Sequence, residues 1–259
     1  DSIIKNPIKY FEENKFYKKW INNEISTYQY LLFINKFSSR SFNDINQYPI
    51  FPWIFLESKL GSHKGKKSLP KFRELEYPIS IKDEEDIKEA MFYFDINAEE
   101  HPKYPSHYRL HYSTSGYVLS YLVRVSPYTE EQIRFQNNQF DSPNRQINTI
   151  DEILIILSSS HDNRELVPEF FTSVEFLLNV NYNDFGYRLS DGIMINDIEE
   201  QKKFFNSIGQ YIYYNRLLLN YKSDYNEINS PAFKEELKIN LWIDLIFGYK
   251  QWDAKPKKE

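Results

Sequence analysis

Apolar positions recur at helical spacing over several stretches of the chain and lose that spacing between them. The first regular stretch opens at Ser26-Thr27-Tyr28-Gln29. Here a serine oxygen and a glutamine three residues later can each satisfy an orphan amide in a capping box. Tyr28, Leu31 and Leu32 then fall on one face, which predicts a helix reaching toward Arg40. Further helices are expected over 83–95, with acids in the first turn, and between Thr114 and Ser126, closed by Pro127. Another is expected from Thr129, with Gln132 in capping-box register, and another from Ser142-Pro143, with Ile147, Ile150 and Leu154 on its buried stripe. The clearest amphipathic pattern is Phe204, Phe205, Ile208, Tyr211, Ile212, Asn215, Leu218 and Leu219. A last helix should open at Ser230-Pro231, bury Leu237, Leu241, Leu245 and Ile246, and stop at Gly248.

The interruptions carry equal weight. From Asn43 to Trp53 the chain holds Pro49 and Pro52, which exclude a regular helix or a central strand. That stretch must be ordered by side chains. Gly61 to Lys67 has the composition of a surface loop, Phe72 to Pro78 reads as extended, and Asp191-Gly192 between short apolar runs suggests a small hairpin over 185–195. No internal repeat or low-complexity linker divides the chain, so one domain is expected.

Composition narrows the function. With 259 residues, 41% of them hydrophobic, the chain can bury a large core. The 21 Tyr and 20 Phe set against 7 Gly point to a ring-rich interior whose hydroxyls need partners. No glycine-rich phosphate loop occurs, so nucleotide chemistry is not expected and no cofactor is called for. The net charge is −5, with both signs interleaved, which gives no nucleic-acid footprint. The basic runs Lys64 to Lys67 and Lys255 to Lys258 read as solvated. Without cysteine there are no disulfides and no thiolate metal sites. No apolar run reaches the length of a membrane span. The chain opens at Asp1 without methionine, as a piece of a longer protein would.

Candidate chemistry is sparse. His107 and His111 stand four apart, as two zinc ligands on one helix face would, but Tyr108, Arg109 and Leu110 lie between them and no glutamate follows the first. Ser158 to Asp162 has the residue types of a hydrolase triad, but such triads are assembled from separated segments. Glu169 and Asp244 each break an apolar run, which implies a cap or a buried ion pair, with Arg40, Arg73, Arg124 or Arg145 as the available cations. Structural pairing explains them better than catalysis.

Taken in order, the unperiodic segments resemble the BEACH domain. Trp20 to Ser26 followed by Tyr28-Gln29-Tyr30-Leu31 is similar to its opening. Arg40, Asn43-Asp44, Gln47-Tyr48-Pro49 and Phe51-Pro52-Trp53 resemble its most distinctive signature. Phe72-Arg73-Glu74-Leu75, His107-Tyr108 with His111-Tyr112-Ser113, and Tyr121 to Arg124 with Pro127-Tyr128-Thr129 continue the series. Phe140-Asp141 with Arg145, Glu165 to Phe171, and Trp242 to Gln251 complete it. There are departures: Asn137-Asn138 stands where the family has Gly-Gly, Arg109-Leu110 replaces a small pair, and Ile195 to Ile198 replaces a Pro-Pro-Trp-Ala element. Asn tolerates the left-handed conformation, so the Asn137-Asn138 turn should survive.

The resemblance implies a mainly α fold in which helices enclose irregular extended core segments, with a small β-hairpin. It places the domain at 20–251, with 1–19 as a lead-in and 252–259 as a polar, Lys-rich tail. It also implies a non-catalytic, protein-binding scaffold in membrane and vesicle trafficking, lysosomal and autophagic work included. Such a scaffold is cytoplasmic, peripheral on endomembranes, and neighboured in its polypeptide by a PH-like domain and WD40 repeats. On this reading the candidate partner-binding residues are Asn43, Asp44, Gln47, Tyr48, Arg73, His107, His111, Arg124 and Glu169. The alternatives are an architectural subunit of a large assembly and a metal-dependent hydrolase centred on His107 and His111.

Overall fold

A computed structural model describes residues 6–55, 62–63, 66–67, 72–81, 83–102, 112–150, 152–153, 163–198, 207–220 and 238–248, with 62–63 and 66–67 described by backbone alone. Among them the chain is mainly helical, as expected. Pro7–Glu13 (α1) starts with proline in its first turn, and the Asn6 side chain accepts from the Lys9 amide. Phe16–Ile21 (α2) follows, and Thr27–Phe37 (α3) opens with the predicted capping box: Ser26 Oγ accepts from the Gln29 amide at 3.1 Å, and Gln29 Oε1 from the Ser26 amide at 2.9 Å. The three helices are zipped by rings. Trp20 stacks on Tyr30 at 4.5 Å and donates its indole N–H to Thr27, while Phe11 and Phe16 pack against Phe37.

The proline-interrupted stretch is the centre of the molecule. Tyr48, Ile50, Phe51, Trp53, Ile54 and Phe55 are all buried, although none lies in a helix or a named strand. Buried backbone must find partners, and here they come from distant segments. Phe51 and Leu166 exchange N–H···O bonds of 2.8 and 2.9 Å. The Asn35 side chain, projecting from α3, donates to the Ile50 carbonyl and accepts from its amide. Trp53 gives its amide to Glu165 and its indole N–H to the Arg164 carbonyl. Phe55 pairs with Phe72, so the extended reading of the latter holds at its start, before the chain turns at 75–77.

Ser62–His63 (β1) pairs antiparallel with Lys66–Lys67 (β2), where a loop was expected. Glu84–Glu100 (α4) is capped by Asp83 and runs five residues past its predicted end at 95. Ser115–Leu122 (α5) starts at the Thr114 cap and ends short of Pro127, because Val123 and Arg124 turn into the core. Tyr128–Phe135 (α6) has Pro127 as its N-cap, two residues earlier than the capping-box register requires. Thr129 therefore sits inside the helix and donates to the Val123 carbonyl, while the buried Gln132 accepts from Gln146. The helix predicted from Ser142-Pro143 is only a 3-10 turn, Pro143–Arg145, and Ser142 makes no cap bond. The helical start comes later: Thr149 Oγ1 accepts from the Glu152 amide, and Glu152 accepts from the Asn148 and Thr149 amides. Ile147 and Ile150 are buried as predicted, with Ile153; Leu154 lies outside the described residues.

Beyond Asn163 come the 3-10 turns Pro168–Phe171 and Glu175–Leu177 and the predicted hairpin, in which Tyr187 bridges Met194 and Gly192 takes φ 71°. Ile208–Leu219 (α7) buries Tyr211, Ile212, Asn215, Leu218 and Leu219 of the stripe read from its spacing, while Ile208 is half-buried and Phe204 and Phe205 lie outside the described residues. Ile239–Ile246 (α8) buries Ile246 as predicted, with Ile239 and Trp242, and leaves Leu241 and Leu245 half-buried, so its face is rotated from the predicted one; the expected start at Ser230-Pro231 and Leu237 lie outside the described residues. The tryptophan ring claims the core position. Asn137 and Asn138 adopt φ 59° and 65°, the left-handed turn expected of them, and the Asn138 amide donates to the Ile133 carbonyl. No described helix is long and apolar enough to cross a membrane.

Candidate functional site

The predicted site residues separate into distinct places. Asn43, Asp44 and Gln47 are exposed on one short loop. Asp44 accepts from the Asn46 amide to start the 3-10 turn Ile45–Gln47, and the Gln47 carbonyl accepts from the Ser41 amide at 2.8 Å, closing the loop on itself. Tyr48 points the other way, into the core. Its hydroxyl donates to Glu169 at 2.6 Å and lies 2.8 Å from the Tyr128 hydroxyl, while Arg40 donates to its carbonyl. Phe42 caps the Tyr48 ring edge-on at 5.5 Å. A rigid aromatic and carboxylate prop thus sits directly under an exposed polar loop.

Burial pushes the Glu169 carboxyl above the ordinary carboxylate range, and the Tyr48 hydroxyl pulls it partly back. The same burial, with Glu169 alongside, pushes the Tyr48 phenol well up, so it stays a neutral donor. The cation offered to Glu169 by sequence is replaced by this tyrosine. Arg40 serves the Tyr48 carbonyl instead, and Arg145 serves Asp141.

Arg73 and Arg124 are buried elsewhere and cannot meet a partner while the core stays closed. Arg73 forms an ion pair with Glu165 at 2.8 Å and donates to the Tyr77 carbonyl. Burial drives the Glu165 carboxyl up, and Arg73 is the largest opposing influence. Arg124 donates to the carbonyls of Asn196 and Ile147 and lies over the Phe185 ring at 5.2 Å, fastening the hairpin to the helices. Burial lowers its pKa to about 10, which leaves it charged at neutral pH. His107, His111 and the Ser158 to Asp162 run lie outside the described residues. Among the described residues no three His, Cys, Asp or Glu side chains are grouped to hold a metal.

A second feature went unread in the sequence. An open groove of about 580 Å³ runs between α5, α6 and the 141–147 segment, with Arg145, Arg164 and Arg188 on its walls. Its signal was present only in part, in the Phe140-Asp141 and Arg145 box, because the other residues come from segments far apart in the chain.

The chain matches the Beige/BEACH domain family over residues 18–259. It is 36% identical over 241 residues to Protein SPIRRIG of Arabidopsis thaliana, covering 91% of this chain and 6% of that protein. It is 35% identical over 240 residues to Beige protein homolog 1 of Saccharomyces cerevisiae, covering 90% of this chain and 10% of that protein. The human Lysosomal-trafficking regulator is 34% identical over 245 residues, covering 90% of this chain and 6% of that protein. The chain therefore spans a tenth or less of the length of these relatives. With its motifs in order and its irregular core enclosed by helices, the chain belongs to the BEACH domain family.

Proposed function

We propose that this BEACH domain is a non-catalytic scaffold that binds protein partners in membrane and vesicle trafficking, and that the loop bearing Asn43, Asp44 and Gln47 is part of its contact surface. The observation that carries this reading is the exposed polar loop held from below by Tyr48, Tyr128 and Glu169. A loop fixed in this way loses little conformational entropy on binding, so its polar groups can contribute affinity. Kinship with a lysosomal-trafficking regulator supports the cellular setting. A PH-like domain and WD40 repeats in the same polypeptide fit the small share of the relatives that the chain spans, and peripheral association with endomembranes fits kinship with a lysosomal-trafficking regulator.

The test is the triple substitution Asn43→Ala, Asp44→Ala, Gln47→Ala in the full-length gene product, read by quantitative co-purification. Loss of partners with an unchanged melting temperature is the expected result. Unchanged recovery from an intact fold sinks the assignment of this loop. Stoichiometric metal in the purified protein, found by elemental analysis, would revive the hydrolase alternative at His107 and His111.

A further inference from the structure

We propose that the outward face of α4 docks a basic amphipathic helix of a protein partner. This rests on the protein-binding reading above and gives it a second surface and a partner chemistry. α4 turns one side to the rest of the domain: Ala90 is buried, and Ile87, Tyr93 and Phe94 are half-buried. Phe92, two residues from Ala90, falls on the opposite side of a helix with about 3.6 residues per turn, and it is 67% exposed. One turn on, Ile96 is 40% exposed, and Met91 is exposed beside them. A helix of a closed domain normally gives its outer face to polar residues. Phe92 and Ile96, four apart, form a ridge of the kind that packs between the side chains of a facing helix.

The acids around that ridge set the charge of its occupant. Asp95 and Glu100 lie on either side of it and Glu99 closes its end; all three are exposed, and none is in an ion pair among the described residues. Lys88, the one cation of α4, stands two turns before Asp95, about 10 Å along the axis, too far to neutralise it. Seven acids against one lysine make α4 more acidic than the whole chain, whose net charge is −5, so the negative field is concentrated here.

The same acids work against the helix that bears them. Asp95 and Glu99 are like charges at i, i+4. Glu99 and Glu100 stand in the last turn, where free carbonyls already make the helix end negative and where α4 has no basic residue. A facing helix with Lys or Arg flanking an apolar pair would relieve both conflicts and cover Phe92 and Ile96. An anionic lipid surface or a second copy of α4 would meet repulsion instead, which favours a cationic protein segment.

The experiment is selection of a displayed library of helix-forming peptides, randomised along one face, on the intact protein. Enriched peptides are then measured on two double variants, Phe92→Ser with Ile96→Ser, and Asp95→Lys with Glu99→Lys. Both pairs change exposed side chains, and the charge reversal should keep or raise the melting temperature, because it removes a repulsive pair and sets cations near the helix C-terminus. The expected result is enrichment of peptides with Lys or Arg around apolar residues three or four apart. Their affinity should fall about tenfold or more on each double variant and decline with added salt. Enrichment without basic residues, or equal binding to either variant, overturns the assignment of this face and leaves the scaffold reading standing. Dimerisation of the wild type that is lost on Phe92→Ser with Ile96→Ser also overturns it, by making a second copy the occupant. No enrichment overturns it as well, while the scaffold reading is judged apart, by co-purification of partners with the full-length protein.

Discussion

Replacing Arg73 with methionine keeps the aliphatic stem and removes the charge that faces Glu165. In the native protein one guanidinium nitrogen lies 2.8 and 2.9 Å from the two carboxylate oxygens, and the paired side chains are 2% and 1% exposed. Apart from Arg73, the Trp53 amide donates to Glu165 at 3.1 Å and the Trp242 indole lies alongside, too little to hold a buried carboxylate without a cation. Removing one partner of such a pair costs about 3–5 kcal/mol. For a domain of this size that lowers the melting temperature by roughly 6–20 °C. Because the orphaned carboxyl is pushed further up by burial, it takes a proton more readily folded than unfolded. The variant is therefore relatively most stable at acid pH and loses stability as pH rises toward neutral. Adding Glu165→Gln, which keeps an acceptor for the Trp53 amide, should recover most of the loss. Urea unfolding followed by tryptophan fluorescence measures Arg73→Met, Glu165→Gln and the double variant. A single-variant cost under about 1 kcal/mol, or a double variant as unstable as the sum of its parts, refutes the reasoning.

Three further outcomes are expected. Glu169→Gln should match the wild type near pH 4 and exceed it at neutral pH, since a carboxyl raised by burial costs stability only as pH climbs past its unfolded value of about 4.3; denaturation at both pH values checks this, and an equal loss at each contradicts it. Ser26→Ala should cost about 1 kcal/mol through loss of the capping box, read as a shift in urea midpoint without a change in slope. Gly248→Ala should cost about 1–3 kcal/mol, because the new Cβ would lie 2.6 Å from the Asp244 Cα and the backbone must move; thermal unfolding would show it.

The helices were legible where sequence-local chemistry decides them. Ser26 and Gln29 reach only each other's amides, so the capping box could be read from four letters. Ser142-Pro143 presents an equally local signal, but a serine and a proline suit a 3-10 turn as well as a helix, and the bonds that start the real helix belong to Thr149 and Glu152. The rotated face of α8 has a tertiary cause: Trp242 takes the buried position beside the central segment, and Leu241 and Leu245 are left half-covered. For the 43–53 stretch, sequence excluded regular structure and required ordering by side chains, yet could not say that Asn35, Glu165 and Leu166 supply the bonds. The candidate loop was visible through its motif. The groove was visible only at Arg145, within its Phe140-Asp141 box, because Arg164 and Arg188 come from separate segments that carry no pattern pointing to it.

The central segment also constrains how the chain can be made. Trp53 meets its Glu165 partner across a separation of 112 residues, and Arg73 reaches the same carboxylate across 92. Loop-closure entropy must be spent before these contacts return anything, so folding should be slow for so helical a protein. During synthesis the rings of Tyr48 to Phe55 have only part of their native cover, from Tyr28, Phe42 and Phe72, until Leu166 and its neighbours have left the ribosome. A transcript that stops before that point would yield a product with helices able to form but a half-covered aromatic strip between them, a substrate for chaperones and proteases rather than a shorter working domain.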